Sequence, residues 1–175
     1  MFETVAVILV VLIAGLLAYT STRPDTFRVQ RATTIKAPPE TIFALINDLH
    51  RWTVWSPWEK KDPAMKRTHS GAPNGKGAAY AWDGNTDVGK GRMEIIESLP
   101  PRKVVIKLDF EKPFEGHNRA EFTLEPKGGV TTVIWAMYGP VSLMMKLMHV
   151  FFDMDRMIGK DFEAGLADLK AAAEK

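Results

Sequence analysis

The chain has 175 residues, 46% of them hydrophobic and 25% charged, a balance that supports a buried core and excludes a largely disordered protein. Its formal net charge of +2 is far below the concentrated positive charge that nucleic-acid binding requires. The sequence contains no cysteine, which excludes disulfides, thiolate metal sites and a cysteine nucleophile. We therefore expect one globular domain behind an apolar N-terminal segment, with no nucleic-acid partner.

Residues 1–22 form the most apolar segment of the chain. Residues 4–19 carry no charge, and the whole segment approaches the ~20 residues that cross a ~30 Å hydrocarbon core. A cleaved signal peptide would begin with a positive charge, which is missing here, and a buried core helix would have a polar stripe. The segment is therefore interpreted as a single-pass membrane anchor, with a signal peptide and a core helix as the alternatives.

The charges on either side of this segment predict its orientation. Glu3 precedes the apolar run, whereas Arg23, Arg28 and Arg31 follow it. The positive-inside bias then places the rest of the chain in the cytoplasm. Residues 23–26 are only a short linker, so we expect the domain to lie close to the bilayer surface.

Residues 27–173 have the pattern of one α+β domain. Alternating side chains predict a strand over residues 27–36, and an apolar face predicts a helix from Pro39 to Asp48, followed by a short helix or turn. Turn-forming residues then separate six strand candidates, which short connections make antiparallel. The six candidates are residues 65–71, 78–83, 89–98, 102–111, 114–126 and 130–139. Apolar spacings of three and four predict one long final helix over residues 141–173.

Large rings and thioethers recur on the sheet face that the final helix would cover. Such side chains suit adaptable pockets, but they also fill solid cores, so the pattern leaves both a cavity and a filled core open. The candidate ligand-contacting residues are Trp55, Trp58, Tyr80, Trp82, Met93, Phe110, Phe114, Asn118, Trp135, Met137, Met144 and Met148. Tyr80 and Asn118 would either orient a ligand or form satisfied buried hydrogen bonds, and Trp55 is also expected to pack in the core.

The sequence shows no recognisable catalytic or metal-binding pattern. It lacks a Gly-x-Ser-x-Gly turn, and its four histidines lack the spacing of a helical zinc pair. Alternation places Arg92, Glu94 and His117 on the wet face of the sheet. We therefore assign no catalytic residue, no metal and no cofactor.

Several short motifs, in their order along the chain, carry a family resemblance. They are WTVWSPW at 52–58, YAWDGN at 80–85, GKGRM at 89–93, KPF at 112–114, TVIW at 132–135 and DFEAGLADLK at 161–170. Together with the order of elements they resemble the START-like or Bet v 1-like superfamily (SRPBCC), in its polyketide cyclase/dehydrase and lipid transport branch. The resemblance covers residues 27–173. It implies a helix-grip fold, in which a curved antiparallel sheet wraps a long C-terminal helix and a hydrophobic or amphipathic molecule lies between them.

Pattern and resemblance together favour a membrane-tethered domain that binds a lipid, an isoprenoid or a polyketide-like molecule without covalent chemistry. One alternative is a cyclase, dehydratase or hydrolase that uses the same cavity. Another is a scaffold with a filled core, which would recruit a partner through an exposed aromatic edge. Residues 143–152 are apolar almost all round, so we expect the start of the final helix to form a portal that faces the bilayer.

Overall fold

A computed structural model describes residues 2–151 and 153–175, apart from the side chains of Phe2, Met144, His149 and Phe151. Its helices are α1 (Phe2–Ser21), α2 (Pro39–Asn47), a 3₁₀ helix (Leu49–Val54), α3 (Pro57–Lys61), α4 (Leu143–Phe151) and α5 (Met154–Ala173). Its strands are β1 (Thr26–Ile35), β2 (Lys66–Gly71), β3 (Ala78–Asp83), β4 (Lys90–Leu99), β5 (Lys103–Lys112), β6 (Gly116–Lys127) and β7 (Val130–Pro140).

The seven strands form one antiparallel sheet in the order β1-β7-β6-β5-β4-β3-β2. Strands β2 to β7 follow one another as hairpins, while β1 pairs with the last strand, so that Val29 lies opposite Met137. Irregularities in β4, at Gly91 and between Ile95 and Glu97, bend the sheet. The concave face is dry and the convex face is wet, as the alternation predicted. The expected α+β helix-grip architecture is confirmed.

Helix α5 lies across the concave face and completes one end of the core. Phe162, Leu166 and Leu169 are at most 1% exposed. The Phe162 ring stacks on Trp135 of β7 with centroids 4.1 Å apart, and Trp135 in turn stacks on Phe122 of β6 at 4.8 Å. This aromatic stack makes the half of the domain beneath α5 solid.

The final helix is not continuous, in contrast to the single helix expected over residues 141–173. It consists of α4 and α5, and the Asp153 carboxylate caps α5 by accepting a hydrogen bond from the Arg156 amide at 3.0 Å. A side-chain cap of this kind marks a helix start, because it satisfies an amide that has no partner within the helix. A second difference concerns Phe114, which lies in the β5–β6 loop because β6 begins at Gly116.

Helix α1 projects away from this domain. Among the described residues it is the one helix long and apolar enough to cross a membrane, judged by length and composition. Its side chains are exposed over most of its length, and its C-terminal end contacts α4. A signal sequence has the same length and composition.

Candidate functional site

A cavity of about 390 Å³ lies between the concave face of the sheet and helices α3, α4 and α5. Its volume is within the ~300–1,000 Å³ typical of small-molecule sites. Most of the wall is apolar, formed by rings on β3 and β5 and by methionines on β4, β7 and the two C-terminal helices. The end of the domain beneath α4 and the first turns of α5 is therefore hollow rather than filled.

Ten of the twelve candidate contact residues line this cavity. They are Trp58, Tyr80, Trp82, Met93, Phe110, Phe114, Asn118, Trp135, Met137 and Met148. The Met144 side chain lies outside the described residues. Trp55 is not on the wall: it is fully buried, donates from its indole N–H to the Leu45 carbonyl at 3.1 Å, and packs against the back of Trp135. Contrary to the expectation of a ligand contact, Trp55 therefore lies in the core behind the cavity wall and supports Trp135.

The wall also contains residues that the sequence analysis did not single out as contacts. They include Glu59 of α3, Met65, Val88, Ile106 of β5, and Met154, Met157, Asp161 and Phe162 of α5. The helical periodicity already placed Phe162 on the apolar stripe of the last helix. Glu59 carried no such signal, because a carboxylate next to two lysines in a short helix has the pattern of a solvated surface.

Glu59 is nevertheless buried, and it organises the polar end of the cavity. The Tyr80 hydroxyl donates to its Oε1 at 2.7 Å, and the Arg67 guanidinium donates to its Oε2 at 2.7 Å. The pKa of Tyr80 is raised above its ordinary range. Burial is the larger cause, and the hydrogen bond to the Glu59 carboxylate is the next. Tyr80 is thus a neutral donor to Glu59, and its oxygen keeps a lone pair that can accept a hydrogen bond from a ligand.

Asn118 of β6 presents a second polar group to the same space. It is 8% exposed and lines the cavity. Within the described part of the chain, its side-chain amide has no hydrogen-bond partner. An amide that faces the cavity without a protein partner can exchange water for a hydrogen bond to a ligand.

Two stacked histidines support the outer side of Tyr80. The His69 ring of β2 lies parallel to the His50 ring at 4.0 Å between centroids, and it contacts Tyr80 at 4.9 Å. Burial and the neighbouring His50 lower the pKa of His69, so the ring is neutral at physiological pH. His69, the cross-strand neighbour of Tyr80, therefore bounds the Tyr80 ring on the side toward edge strand β2.

The cavity opens at the end of the sheet where β1 begins and β7 ends. Thr26, the first residue of β1, pairs there with Pro140 of β7, and the β3–β4 and β5–β6 loops lie at the same end of the strands. Phe114 and Met157 are both lining residues and more than half exposed, at 55% and 56%. The mouth is therefore apolar, and it lies at the end of the domain from which α1 emerges.

The family of the chain follows from comparison with known proteins. The family model described as "Polyketide cyclase / dehydrase and lipid transport" matches residues 26–174. The chain belongs to this family. Its membership, the helix-grip fold and the apolar cavity together make it a hydrophobic ligand-binding or cyclase-type domain of the SRPBCC superfamily. None of the curated proteins matches the chain.

Solved structures share the fold at low identity. Protein CV1439 from Chromobacterium violaceum is similar with a TM-score of 0.61 and 16% identity, over 87% of this chain and 99% of that one. The major latex-like protein 151 from Panax ginseng is similar with a TM-score of 0.60 and 14% identity, over 87% of this chain and 100% of that one. The di-domain ARO/CYC BexL from the BE-7585A biosynthetic pathway is similar with a TM-score of 0.62 and 14% identity, over 90% of this chain and 53% of that one. The chain thus corresponds to about half of the di-domain protein.

Proposed function

We propose that this chain is a membrane-tethered domain that binds one apolar or amphipathic small molecule, of the lipid, isoprenoid or polyketide-like class, without covalent chemistry. The observation that carries the proposal is the hollow, apolar end of the helix grip, with Tyr80 and Asn118 as inward polar groups. Each 100 Å² of apolar ligand surface removed from water contributes about 2.5 kcal/mol. Apolar burial supplies the affinity, and the two polar side chains set the orientation.

The cavity volume limits the size of the enclosed part of the ligand. A volume of about 390 Å³ lies toward the lower end of the range for small-molecule sites, so the enclosed part of the ligand is one small ring system or a short chain. A longer tail would extend through the mouth between Phe114 and Met157.

The charges around the cavity favour a neutral ligand. Of the charged lining residues, Glu59 is paired with Arg67 and Asp161 with Lys61, while Asp87, Lys112 and Glu115 are exposed. Among the described residues, the cavity interior therefore offers no unpaired cation to a ligand carboxylate or phosphate, whereas a hydroxyl could donate to Tyr80 and accept from Asn118. Neutral hydroxylated or carbonyl-bearing amphiphiles are therefore favoured over free fatty acids.

The position of the mouth supports uptake from a bilayer. We assign residues 1–22 to a membrane anchor, 23–26 to a linker and 27–173 to the ligand-binding domain, with the domain on the cytoplasmic side. Helix α1 ends at Ser21 and β1 begins at Thr26, and the few residues between them span at most about 14 Å when extended. The mouth therefore stays within a short distance of the membrane surface.

Native mass spectrometry of the full chain in mild detergent tests the binding proposal. Ala120 lines the cavity and is 5% exposed, so Ala120→Phe should place a ring in the empty space and displace the ligand. Ala32→Phe, on the exposed face of β1, is the matched control. We expect one co-purifying hydrophobic molecule per wild-type or Ala32→Phe chain and none with Ala120→Phe. An empty wild-type chain, or equal retention by both variants, would contradict the proposal.

A cyclase-type enzyme is the second candidate function. It is favoured by the buried Glu59–Tyr80 hydrogen bond at the cavity wall and by the fold similarity to di-domain ARO/CYC proteins. Incubation of the chain with a linear polyketide-like chain distinguishes the two functions. A binding protein returns the compound with its mass unchanged, whereas a dehydrating cyclase returns a product lighter by one water.

A further inference from the structure

A second, shallower groove lies beside the linker, at the end of the sheet where β6 begins and β7 ends. Its lining residues are Thr26, Phe27, Arg28, His117, Asn118, Arg119, Tyr138, Gly139 and Pro140. The strand register places Tyr138 of β7 between two arginines, opposite Arg28 of β1 on one side and Arg119 of β6 on the other. The groove is thus centred on Tyr138, with an arginine as its cross-strand neighbour on each side.

Neither arginine is neutralised by a carboxylate in the described chain. The Arg28 guanidinium lies 5.3 Å from the centre of the Tyr138 ring, and its hydrogen bonds go to the uncharged Gln30 side chain at 2.9 and 3.2 Å. Arg119 forms no ion pair with any described residue, and both arginines are exposed. The groove therefore carries positive charge that nothing in the described chain compensates.

Two carboxylates that contact groove residues are paired with lysines outside the groove. Glu121 lies 3.5 Å from the Lys103 ammonium group and accepts from the Tyr138 hydroxyl. Asp109 is paired with Lys107 at 2.9 Å and with His117 at 2.8 Å. Their charges are therefore offset by other side chains and leave the two arginines available to an external anion.

A buried polar group also reaches this groove. Asn118, whose amide is without a partner in the described structure, lines the groove as well as the cavity. Its side chain faces the cavity, so it marks the point where the groove and the cavity adjoin, and the charged donors of the groove are the two arginines. Planar guanidinium groups are well suited to binding phosphate oxygens.

We propose that this groove binds the phosphate of an anionic phospholipid headgroup in the bilayer that α1 enters. The inference rests on the proposed membrane anchoring, and it adds a lipid site that is separate from the apolar cavity. Thr26, the last residue of the assigned linker and the first of β1, lines the groove, so the groove lies beside the point where the chain leaves the membrane. A headgroup held there would fix the tilt of the domain on an anionic membrane surface.

The experiment uses the full chain in nanodiscs made of equal parts phosphatidylcholine and phosphatidylglycerol, ejected into a mass spectrometer. The measured quantity is the ratio of phosphatidylglycerol to phosphatidylcholine that stays bound. Arg28→Gln combined with Arg119→Gln should reduce this ratio about 30-fold, since each basic residue near an anionic surface contributes about fivefold and the two factors multiply. Arg92→Gln combined with Arg102→Gln is the matched control, because both residues are exposed on other strands or turns and neither lines the groove.

Preserved selectivity in the control and its loss in the groove variant would support the proposal. Equal ratios in wild type and groove variant, with the chain still embedded in the disc, would overturn the headgroup site and leave the anchoring intact. A chain that does not stay in the disc would overturn the anchoring and this inference together. Loss of phosphatidylglycerol on addition of inorganic phosphate would assign the groove to a soluble anion and overturn the lipid assignment.

Discussion

Tyr80 and Asn118 both point into the cavity, but their hydrogen bonds differ. The Tyr80 hydroxyl donates to the buried Glu59 carboxylate at 2.7 Å, whereas the Asn118 amide has no partner in the described structure. Removal of a donor from a buried carboxylate leaves a charged acceptor short of one hydrogen bond, which costs more than removal of an unpaired amide. Substitution by an apolar residue should therefore cost more stability at Tyr80 than at Asn118.

Tyr80→Phe is expected to lower the free energy of unfolding by about 1–3 kcal/mol, while Asn118→Leu changes it by less than about 1 kcal/mol. Urea denaturation of the full chain in mild detergent measures both. The pKa of folded Tyr80 is raised, so its stabilising contribution is complete below pH ~10 and is lost as the pH rises further. Wild type should thus lose more stability than Tyr80→Phe above pH ~10. Equal losses for the two substitutions at neutral pH would contradict the hydrogen bond to Glu59.

The direction of Tyr80 could be predicted from the sequence, but its hydrogen-bond partner Glu59 could not. Strand alternation correctly predicted that Tyr80 and Asn118 face inward. The Glu59 partner could not be predicted, because it lies 21 residues before Tyr80 and its local sequence is that of a surface helix. Only the packing of α3 against β2 and β3, with Arg67 as counter-charge, makes its burial tolerable.

At the scale of elements, one glycine sets how closely α5 approaches the sheet. A Cβ atom at Gly165 would lie 2.8 Å from the Trp135 ring and 2.9 Å from Pro57 Cδ. Both neighbours are held rigidly: Trp135 is 2% exposed within the aromatic stack, and Pro57 begins α3. The close approach at Gly165 lets Phe162 stack on Trp135 one turn earlier.

Gly165→Ala is expected to destabilise the domain although alanine favours helix by up to about 1 kcal/mol. The clash with two rigid rings should outweigh that gain and lower the free energy of unfolding by about 1–3 kcal/mol net. Ala167→Gly, at an exposed position of the same helix, is the control that reports the propensity term alone. Denaturation of the three proteins measures the balance. A stabilised Gly165→Ala chain would show that α5 can move away from Trp135 without cost.

The elements themselves were largely predictable, and the exceptions have local causes. Strand limits agree within about two residues, because turn residues interrupt an otherwise regular alternation. The break before Asp153 was missed since the apolar spacing continues through it, although the capping Asp was visible in the sequence. The cavity could not be predicted, because the same rings and methionines also fill cores; only the position of α5 over one end of the sheet leaves space at the other.

At the scale of the whole molecule, a buried lysine joins α4 to the chain that leaves α1. The Lys146 ammonium group donates to the Arg23 carbonyl at 2.9 Å and to the Asp25 carboxylate, and the residue is 7% exposed. Hydrogen bonding to Lys146 lowers the pKa of Asp25. Because α4 supplies Met145 and Met148 to the cavity wall, this contact links the mouth to the end of the proposed anchor.

Lys146→Met is therefore expected to slow exchange of ligand with a membrane without changing affinity. The substitution leaves an apolar side chain in place, and Asp25 can be solvated, so the thermal midpoint should stay nearly unchanged. Transfer of a fluorescent apolar probe from donor vesicles to the chain in nanodiscs should become severalfold slower, since α4 no longer holds the mouth toward the bilayer. Lys60→Met, which removes the Lys60–Asp168 pair on the opposite side of α5, is the control. Equal transfer rates for both variants would show that the Lys146 contact does not orient the cavity, whereas a weaker probe affinity in detergent would place its effect inside the site.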